Sequence, residues 1–341
     1  MAWLRREVIA TPADGLLAVV LLVLAALLVP PALRWLVLDS VLLADTPNAC
    51  RVAAGACWAI ITNHARVVLF GVYPYSEQWR AAFAMLIVLA ALVSTYFLGP
   101  RRLRLVALMW IAVLGLFFSL MHGGLGGLAP VAFDRWSGLP LTLFIFLGTV
   151  IMGFPLAIAL AIGRVSSLPA IRVFCTGLIE IVRSVPLLTV LFCAAVVTPL
   201  LVPTWLNPEK TNRIVMAMAL FYACYQAEVI RGGLQGVPKE QTEAALGLGL
   251  SRRTALMLIL LPQALRISIP ATINLIVVAL KDTSMVIIVG LFDFMASANT
   301  SISSDAWAPF FGEVYLFVAA TFLVLTSIVA ALGRRFDDGS S

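Results

Sequence analysis

Glu243-Ala244-Ala245-Leu246-Gly247-Leu248-Gly249, followed after nine intervening residues by Ile259-Leu260-Leu261-Pro262, is the most informative part of the chain. The segment is charged and polar, and it lies between two long apolar runs in a chain that is 62% hydrophobic. Because charged side chains are costly inside a bilayer, such a segment lies outside the hydrocarbon, where a soluble partner can contact it. The sequence therefore predicts membrane helices joined by an exposed, partner-facing segment.

Composition defines the broad class. With 62% hydrophobic and 12% charged residues, the 341-residue chain has too little polar surface to cover a soluble globule. Apolar runs of about 17 to 25 residues recur along it, the length needed to cross roughly 30 Å of hydrocarbon as helix. We therefore predict an all-α integral membrane protein with about eight transmembrane helices. The predicted spans are 16–38, 81–98, 103–121, 139–162, 178–202, 214–230, 269–291 and 314–332.

The distribution of basic residues predicts the orientation. If the spans alternate, most Arg and Lys residues fall on one side, which the positive-inside rule assigns to the cytoplasm. Acidic residues such as Asp305 fall on the other side. Both termini and the Glu243 segment are then cytoplasmic. The basic residues on this side are Arg5, Arg6, Arg101, Arg102, Arg104, Arg164, Arg172, Arg231, Lys239, Arg252, Arg253, Arg266, Arg334 and Arg335.

A polar loop at 39–80 and a glycine-rich joint at 123–127 suggest two domains. Residues 1–135 form an N-terminal transmembrane extension of three spans, and residues 136–341 form a group of five spans with a cytoplasmic loop at 236–262. The chain has no Gly-x-x-x-x-Gly-Lys-Ser/Thr motif, so it cannot hydrolyse ATP by that route. His64 and His122 lie apart from any catalytic or metal-binding set. The net charge of +6 forms no basic stripe, so we expect no nucleic-acid partner.

Four sequence motifs accompany the Glu243 segment within residues 139–335. Together they resemble the permease subunits of polar-amino-acid ABC importers, with the type I importer core of five helices. The N-terminal part further resembles the larger permease subunit of the general L-amino-acid system, through Gly55-Ala56-Cys57-Trp58 and Gly71-Val72-Tyr73-Pro74. The four motifs are 179–188 (IEIVRSVPLL), 224–234 (CYQAEVIRGGL), 261–266 (LPQALR) and 281–284 (KDTS).

The resemblance implies partners and a location. It implies a multi-pass protein of the bacterial inner membrane that pairs with a second homologous permease. The pair would sit on an ATPase homodimer, which would bind ATP and Mg, and would accept an amino acid from a periplasmic binding protein. Membrane lipid is the remaining expected partner, and this chain is expected to hold no cofactor or metal and to be no enzyme.

Physical chemistry also predicts that the 236–262 loop is a compact knob. Glu240 and Glu243 lie early in a short helix, where carboxylates favour the positive end of the macrodipole. Gly249 permits a sharp turn, and Ser251 can cap a second helix. An ordinary solvated loop is the alternative. We predict that the ATPase-coupling residues are Glu243, Ala244, Ala245, Gly249, Ser251, Arg252 and Arg253.

Charged residues near the spans form a second candidate set. Such groups must be paired, lie at an interface or face a polar cavity. Glu180 with Arg183, and Glu228 with Arg231, are three residues apart, so each pair shares a helix face and both pairs can be intrahelical. Ion pairs that lock helices are favoured over direct substrate contact. The predicted gating or helix-pairing residues are Glu180, Arg183, Glu228, Arg231, Lys281 and Asp282.

Two departures from the family pattern affect the site. Glu240-Gln241-Thr242 stands where the family often has Gly-Gln-Trp, so the fit to the ATPase differs locally. Val190 replaces a frequent glutamine, which leaves Thr189 and Ser284 as the candidate substrate-pathway residues and leaves open whether this subunit or its partner holds the substrate. Two alternatives therefore stay open: a structural permease subunit without a substrate site, and a motor-independent carrier or channel.

The five cysteines divide by compartment. Cys50 and Cys57 lie in the loop assigned to the oxidising periplasm, seven residues apart, and a disulfide between them is favoured over two free thiols. The other three lie in or beside spans, as small apolar side chains.

Overall fold

A computed structural model describes residues 11–99, 102–124, 126–303 and 306–338. Within these ranges, β-structure is limited to two isolated bridges, Val41 with Cys57 and Gly138 with Asp293. Among the residues used to predict the orientation, those that lie outside the described ranges are Arg5, Arg6, Arg101 and Asp305.

Helices account for most of the described chain. They are α1 Pro12–Leu33, α2 Pro47–Val52, α3 Ala59–Phe70, α4 Gln78–Leu98, α5 Leu103–His122, α6 Gly138–Arg164, α7 Pro169–Ser184, α8 Leu187–Leu201, α9 Lys210–Gly236, α10 Lys239–Gly247, α11 Arg252–Ala255, α12 Leu261–Ile267, α13 Ile269–Asp282, α14 Phe294–Ser301 and α15 Phe311–Asp338.

The predicted all-α membrane fold is confirmed. Among the described residues, seven helical stretches are long and apolar enough to cross a membrane, and the bent pair α7 and α8 makes an eighth if it is counted as one span. Three of these spans lie before residue 136 and five after it, as predicted. The candidate spans are Ala13–Leu38, Tyr75–Leu98, Arg104–His122, Gly138–Arg164, the pair Pro169–Ser184 with Leu187–Leu201, Lys210–Gly236, Ile269–Val289 and Ala308–Phe336.

One predicted span was wrong in shape. The apolar run 178–202 is divided between α7 and α8, whose axes differ by 104°. Val185 takes an extended backbone, with φ −102° and ψ 135°, because the ring of Pro186 disfavours a helical conformation at the preceding residue. Pro186 also lacks the N–H that would continue the helix. Residues 178–184 therefore form the end of α7.

The segment 39–80, which was predicted as a loop, contains helices α2 and α3. The apolar helix α3 has 12 residues, which is too short to span the hydrocarbon core on its own.

The chain divides into two compact units. The first comprises the described parts of residues 1–65 with 300–317. Here the indole N–H of Trp58 donates to the carbonyl oxygen of Leu36 at 2.8 Å, and the backbone N–H of Cys57 donates to Glu313 at 3.0 Å. These bonds hold the start of α3 within the unit and satisfy the buried Glu313 carboxylate.

The second unit comprises residues 66–299 with the described part of 318–341. Helices α6 and α9 pack closely at its centre, where a Cβ on Gly153 would lie 3.1 Å from the backbone oxygen of Ala219. Small residues permit this approach, which is a common device between membrane helices. The closely packed α6 and α9 carry the charged residues described below.

Candidate functional site

The 236–262 segment forms a compact knob. Helix α10 ends at Gly247, and the chain turns through Gly249, which has a φ of +81°. The N–H of Gly249 donates to Leu246 at 2.9 Å, and the N–H of Leu250 donates to Ala245 at 3.1 Å. A residue with a Cβ is strained at this φ, so the glycine is needed for the turn itself.

The second helix of the knob is capped as its sequence suggests. The Ser251 hydroxyl accepts a hydrogen bond from the N–H of Thr254 at 3.1 Å, at the start of α11. Ala245 and Ala255 are each 1% exposed, so they pack inside the knob. The outward residues are Glu243, Ala244, Leu248, Gly249, Arg252 and Arg253.

The knob is fixed on the long helix α9. Gly233 packs so closely on α12 that a Cβ there would overlap the carbonyl oxygen of Ala264. The Gln263 side chain donates to the carbonyl oxygen of Ile259 at 3.0 Å and to the Gln241 side chain at 3.4 Å. Helix α12, which follows the knob, is therefore packed on α9 and bonded to α10.

A charge cluster joins the ends of α6, α7 and α9. Glu228 on α9 is contacted by three guanidinium groups: it pairs with Arg164, lies 3.5 Å from Arg183, and accepts two bonds from Arg231 at 2.9 and 3.0 Å. Arg164 also lies 3.3 Å from Glu180. Since the Glu228 side chain is 14% exposed, these contacts replace most of the solvation of its carboxylate.

Of the two pairs that the spacing permits within a helix, the structure forms one. Glu228 and Arg231 form the intrahelical pair, but Glu180 and Arg183 contact different partners. The partner of Glu180 is Arg164, at the end of α6. The spacing of three residues permits a contact without enforcing it, and a charge at the end of a neighbouring helix competes. The cluster therefore links three helices.

A second polar contact joins α9 to α13. The Tyr222 hydroxyl donates to Asp282, and the Gln226 side chain donates to Thr272 at 2.7 Å. Tyr222 and Gln226 also line a small cavity with Thr149 on α6. Lys281 is exposed, and among the described residues it forms no ion pair with Asp282 or another carboxylate.

The two candidate pathway residues do not form one site by themselves. Thr189 lies exposed on the first turn of α8. Ser284 lies after α13, and its hydroxyl donates to the carbonyl oxygen of Lys281 at 2.9 Å. Within the described residues no hydrogen bond joins the two side chains. Their role in the pathway stays a prediction.

Sequence reasoning missed three residues of this region. The sequence identifies Arg164 only as a basic residue at a helix end, and it indicates no role for Tyr222 or Thr272. Their positions in the sequence were the available signal. Arg164 ends an apolar run, Tyr222 lies about two helical turns before Glu228, and Asp282 ends α13. Which of these positions meet depends on how the helices are packed.

The structure joins Cys50 and Cys57 by a disulfide, with a Cα to Cα distance of 5.4 Å. This separation lies within the range that a disulfide requires. Both side chains are buried, and the bond connects the end of α2 with the residues before α3.

Comparison with known proteins gives the following similarities. Residues 153–339 match the profile of the family described as binding-protein-dependent transport system inner membrane component. The chain is 36% identical to the inner membrane amino-acid ABC transporter permease protein YhdY of Escherichia coli K12, over 99% of this chain and 94% of that protein. It is 32% identical to the glutamate/glutamine/aspartate/asparagine transport system permease protein BztC of Rhodobacter capsulatus, over 94% of this chain and 89% of that protein.

A similar solved structure is described as the crystal structure of an amino acid ABC transporter with histidines. It is 29% identical, with a TM-score of 0.53, and the similarity covers 59% of this chain and 91% of that chain.

Proposed function

The chain belongs to the family of binding-protein-dependent transport system inner membrane components and is the permease component of an amino-acid ABC importer, and from this premise we propose that its 236–262 knob docks on the importer's ATPase. Permeases of this family are not enzymes, and ATP hydrolysis belongs to a separate subunit. The knob would be the contact through which ATP hydrolysis in that subunit drives this chain.

The exposed, stiff knob is the observation that carries the proposal. Leu248 is 81% exposed at its tip, next to the exposed Glu243 and Ala244, and it offers an apolar anchor that water does not favour. Arg252 and Arg253 add basic groups that can pair with carboxylates of a partner. ATP and Mg would be bound by the ATPase, and this chain would contribute one of two knobs to a homodimer of that subunit.

The Glu228 cluster connects the knob to the membrane-spanning helices. A push on the knob reaches α9 through the Gly233 contact with α12, and α9 carries Glu228 directly. Arg164 and Arg183 extend the link to α6 and α7. We propose that Glu180, Arg183, Glu228 and Arg231 act in helix pairing and gating, with Asp282 holding α13 through Tyr222.

The translocation pathway is proposed to be shared. Thr189 and Ser284 supply hydroxyl groups, whereas an amino acid presents an ammonium and a carboxylate, which need groups of opposite charge or oriented backbone dipoles. A second homologous permease would therefore supply at least half of the substrate contacts. We propose that a periplasmic binding protein delivers the amino acid, and that residues 1–135 form an extension to the importer core at 136–341.

A motor-independent carrier would have no use for the knob, and a purely structural subunit would have no substrate contacts. Co-purification of an ATPase that is lost when the knob is altered supports the motor-driven importer over the carrier. A substrate-bound structure of the assembled importer distinguishes a permease that contacts the amino acid from a structural subunit.

The first prediction tests the knob through Gly249→Val. A Cβ at a φ of +81° strains the turn, so uptake of a labelled amino acid should fall at least about tenfold, which is the effect of about 1.4 kcal/mol at the coupling contact. Membrane expression should persist, because no heavy atom lies within 4 Å of the added Cβ. Glu243→Ala should reduce uptake in the same direction.

Gly232→Val is the matched control. A Cβ at Gly232 also meets no heavy atom within 4 Å, but this glycine lies inside α9 without a positive φ. Uptake by this variant should stay near that of the unaltered chain. Normal uptake by Gly249→Val would count decisively against the knob as the motor contact.

A further inference from the structure

A large apolar cavity lies among five helices, at residues of the second unit. Helices α4 and α5 form one side of it, and α6, α13 and α15 form the other. Its volume is about 440 Å³. Side chains such as Leu114, Phe146, Val150, Ile273 and Val329 form the walls. The cavity lies toward the end of the bundle at which α4 and α15 finish and α5 and α13 begin, since Thr95, Ile269 and Phe336 also line it.

The polar side chains in the wall already have hydrogen-bond partners. Thr95 donates to the carbonyl oxygen of Ala91 at 2.7 Å and accepts from the indole N–H of Trp110 at 3.0 Å. Thr272 accepts from Gln226 at 2.7 Å. A polar ligand would therefore lose its hydrogen bonds to water without gaining new ones from the wall. A hydrocarbon ligand has no such hydrogen bonds to lose.

Size and depth favour an acyl chain. The wall residues belong to spans that cross the hydrocarbon core. One water molecule occupies about 30 Å³ of liquid, and a methylene group is taken to occupy roughly the same volume. The cavity then has room for about 15 methylene groups, which is the length of one lipid tail. An empty apolar space of this size would leave its wall without dispersion contacts.

Arginines lie at the end of the bundle where α4 and α15 finish and α5 begins, which is the end toward which the cavity lies. Arg335 follows the wall residue Gly333 and precedes the wall residue Phe336, and its Nε lies 4.0 Å from the position of a Cβ on Gly99, just after α4. Arg102 and Arg104 lie exposed at the start of α5, and Arg334 and Arg335 are exposed as well. Among the side chains that the structure describes, which do not include those of Asp337 and Asp338, none of these arginines forms an ion pair.

We propose that the cavity is a binding site for one anionic phospholipid, with an acyl chain between α5, α6 and α13 and the phosphate at Arg335 and Arg102. Basic groups beside a pocket between transmembrane helices are the arrangement that selects anionic headgroups. The lipid fills space between α4 and α5 on one side and α6 and α13 on the other, and so connects the two groups of helices. This inference needs only the membrane location of the chain and is independent of the knob.

Trp110 makes the site measurable, because it lines the cavity. The full chain is reconstituted in neutral vesicles that contain a small fraction of chain-brominated phosphatidylglycerol or chain-brominated phosphatidylcholine. The fluorescence lost to bromine quenching is compared between the unaltered chain and Trp110→Phe, so that the difference reports Trp110. We expect phosphatidylglycerol to quench Trp110 at a lower fraction than phosphatidylcholine does.

Arginine variants test the headgroup position. Arg335→Gln and Arg102→Gln should each reduce the preference for phosphatidylglycerol about fivefold, as expected for one basic residue at an anionic headgroup. Arg172→Gln is the control, because this exposed arginine donates to the Ser166 carbonyl oxygen, away from the cavity, and removes the same charge. Val329→Phe, which narrows the cavity, should lower quenching by both lipids.

Equal quenching of Trp110 by the two brominated lipids would overturn the proposal, and so would an equal loss of preference in Arg335→Gln and Arg172→Gln. If Trp110→Phe does not fold, the phospholipid that stays with the unaltered chain after purification in mild detergent is measured by mass spectrometry. Retained phosphatidylglycerol, reduced in Arg335→Gln, supports the site, whereas no retained anionic lipid contradicts it.

Discussion

Glu228 shows how one residue determines the arrangement of three helices. Its carboxylate meets Arg164 from α6, Arg183 from α7 and Arg231 from its own helix. A charge that is largely removed from water is stable only with such partners, and the partners in turn repel one another when it is absent. The position of this carboxylate therefore constrains how α6, α7 and α9 can move relative to each other.

Replacing Glu228 by Gln should reveal this dependence. The substitution keeps the shape of the side chain but leaves three arginines near one neutral group. We expect the free energy of unfolding in detergent to fall by about 1 to 3 kcal/mol, the range for a partly buried charged group that loses its partner. The measurement is the unfolding midpoint of the purified chain, followed by intrinsic fluorescence.

Glu180→Gln is the comparison for this effect. It removes the same charge, but Glu180 is 62% exposed, and its one ion pair within the described residues is with Arg164. An exposed pair of this kind contributes about 0.2 to 1 kcal/mol. Equal destabilisation by the two variants would show that Glu228 does not organise the cluster.

Asp293 is a second residue whose charge matters, and it lies outside the predicted spans. Its side chain is fully buried and accepts bonds from the N–H groups of Met295 and Ala296 at 3.2 and 2.9 Å, at the start of α14. Burial disfavours the charged form and raises the pKa of Asp293 to about 6, although the backbone bonds oppose the shift.

This shift predicts a pH dependence of stability. A carboxyl whose pKa is raised on folding contributes stability that is present below the unfolded pKa of about 4 and is lost as pH rises through 6. Asp293→Asn removes this contribution. The unfolding midpoint of the unaltered chain minus that of the variant should therefore decrease from pH 4 to pH 7. Asp134→Asn, at an exposed aspartate, should show no such trend.

At the scale of elements, a proline divides a run that hydropathy alone would join, and a disulfide joins two short elements. Pro186 ends α7 and starts α8 at 104°, although the apolar composition is continuous across it. In the first unit, the Cys50–Cys57 bond connects α2 to the chain before α3, and the bridge between Val41 and Cys57 runs beside it. Short elements of this kind bury little apolar surface of their own, so a disulfide contributes much of their stability.

The cysteine pairing can be tested by mapping. Protein purified without reductant, denatured and alkylated, should carry label on Cys175, Cys193 and Cys224 but not on Cys50 or Cys57. Peptide mass mapping should recover the last two joined, since the geometry suits a disulfide and the loop is predicted to face the oxidising periplasm. Free alkylation of both in native membranes without reductant would refute the pairing.

At the scale of the whole molecule, the basic residues predict how the chain is oriented in the membrane. Arg102, Arg104, Arg172 and Arg335 are exposed at ends of spans, where positive charge is retained on the cytoplasmic side. We propose that both termini and the knob share that side. The proposed orientation would allow a cytoplasmic ATPase to reach Glu243.

Reporter fusions test the orientation. A fluorescent protein fused after Asp338 should be fluorescent, because that end is proposed to be cytoplasmic. Alkaline phosphatase, which is active only when exported, should be active when fused after Asn207, between α8 and α9, and inactive after Asp338. The reverse pattern of activities would show that the chain is inserted the other way.

Local features of the sequence determined the class, the helices and the knob. Hydropathy over about 20 residues reports whether a helix crosses a bilayer, because the cost of burying polar groups is paid within that segment. Likewise, the turn at Gly249 and the cap at Ser251 depend on backbone preferences of neighbouring residues. These properties do not depend on the rest of the fold, so the class, most of the spans, the turn at Gly249 and the cap at Ser251 were predicted correctly. The exceptions are the run 178–202, which Pro186 divides, and the segment 39–80, which contains two helices.

Contacts between distant helices were decided by the tertiary structure alone. The partner of Glu180 is Arg164, the partner of Tyr222 is Asp282, and the apolar cavity exists only because five helices surround it. Sequence spacing shows which side chains share a face of one helix, but not which face of another helix lies opposite. That choice is made by packing of the whole bundle, where small residues such as Gly153 set how closely two helices approach.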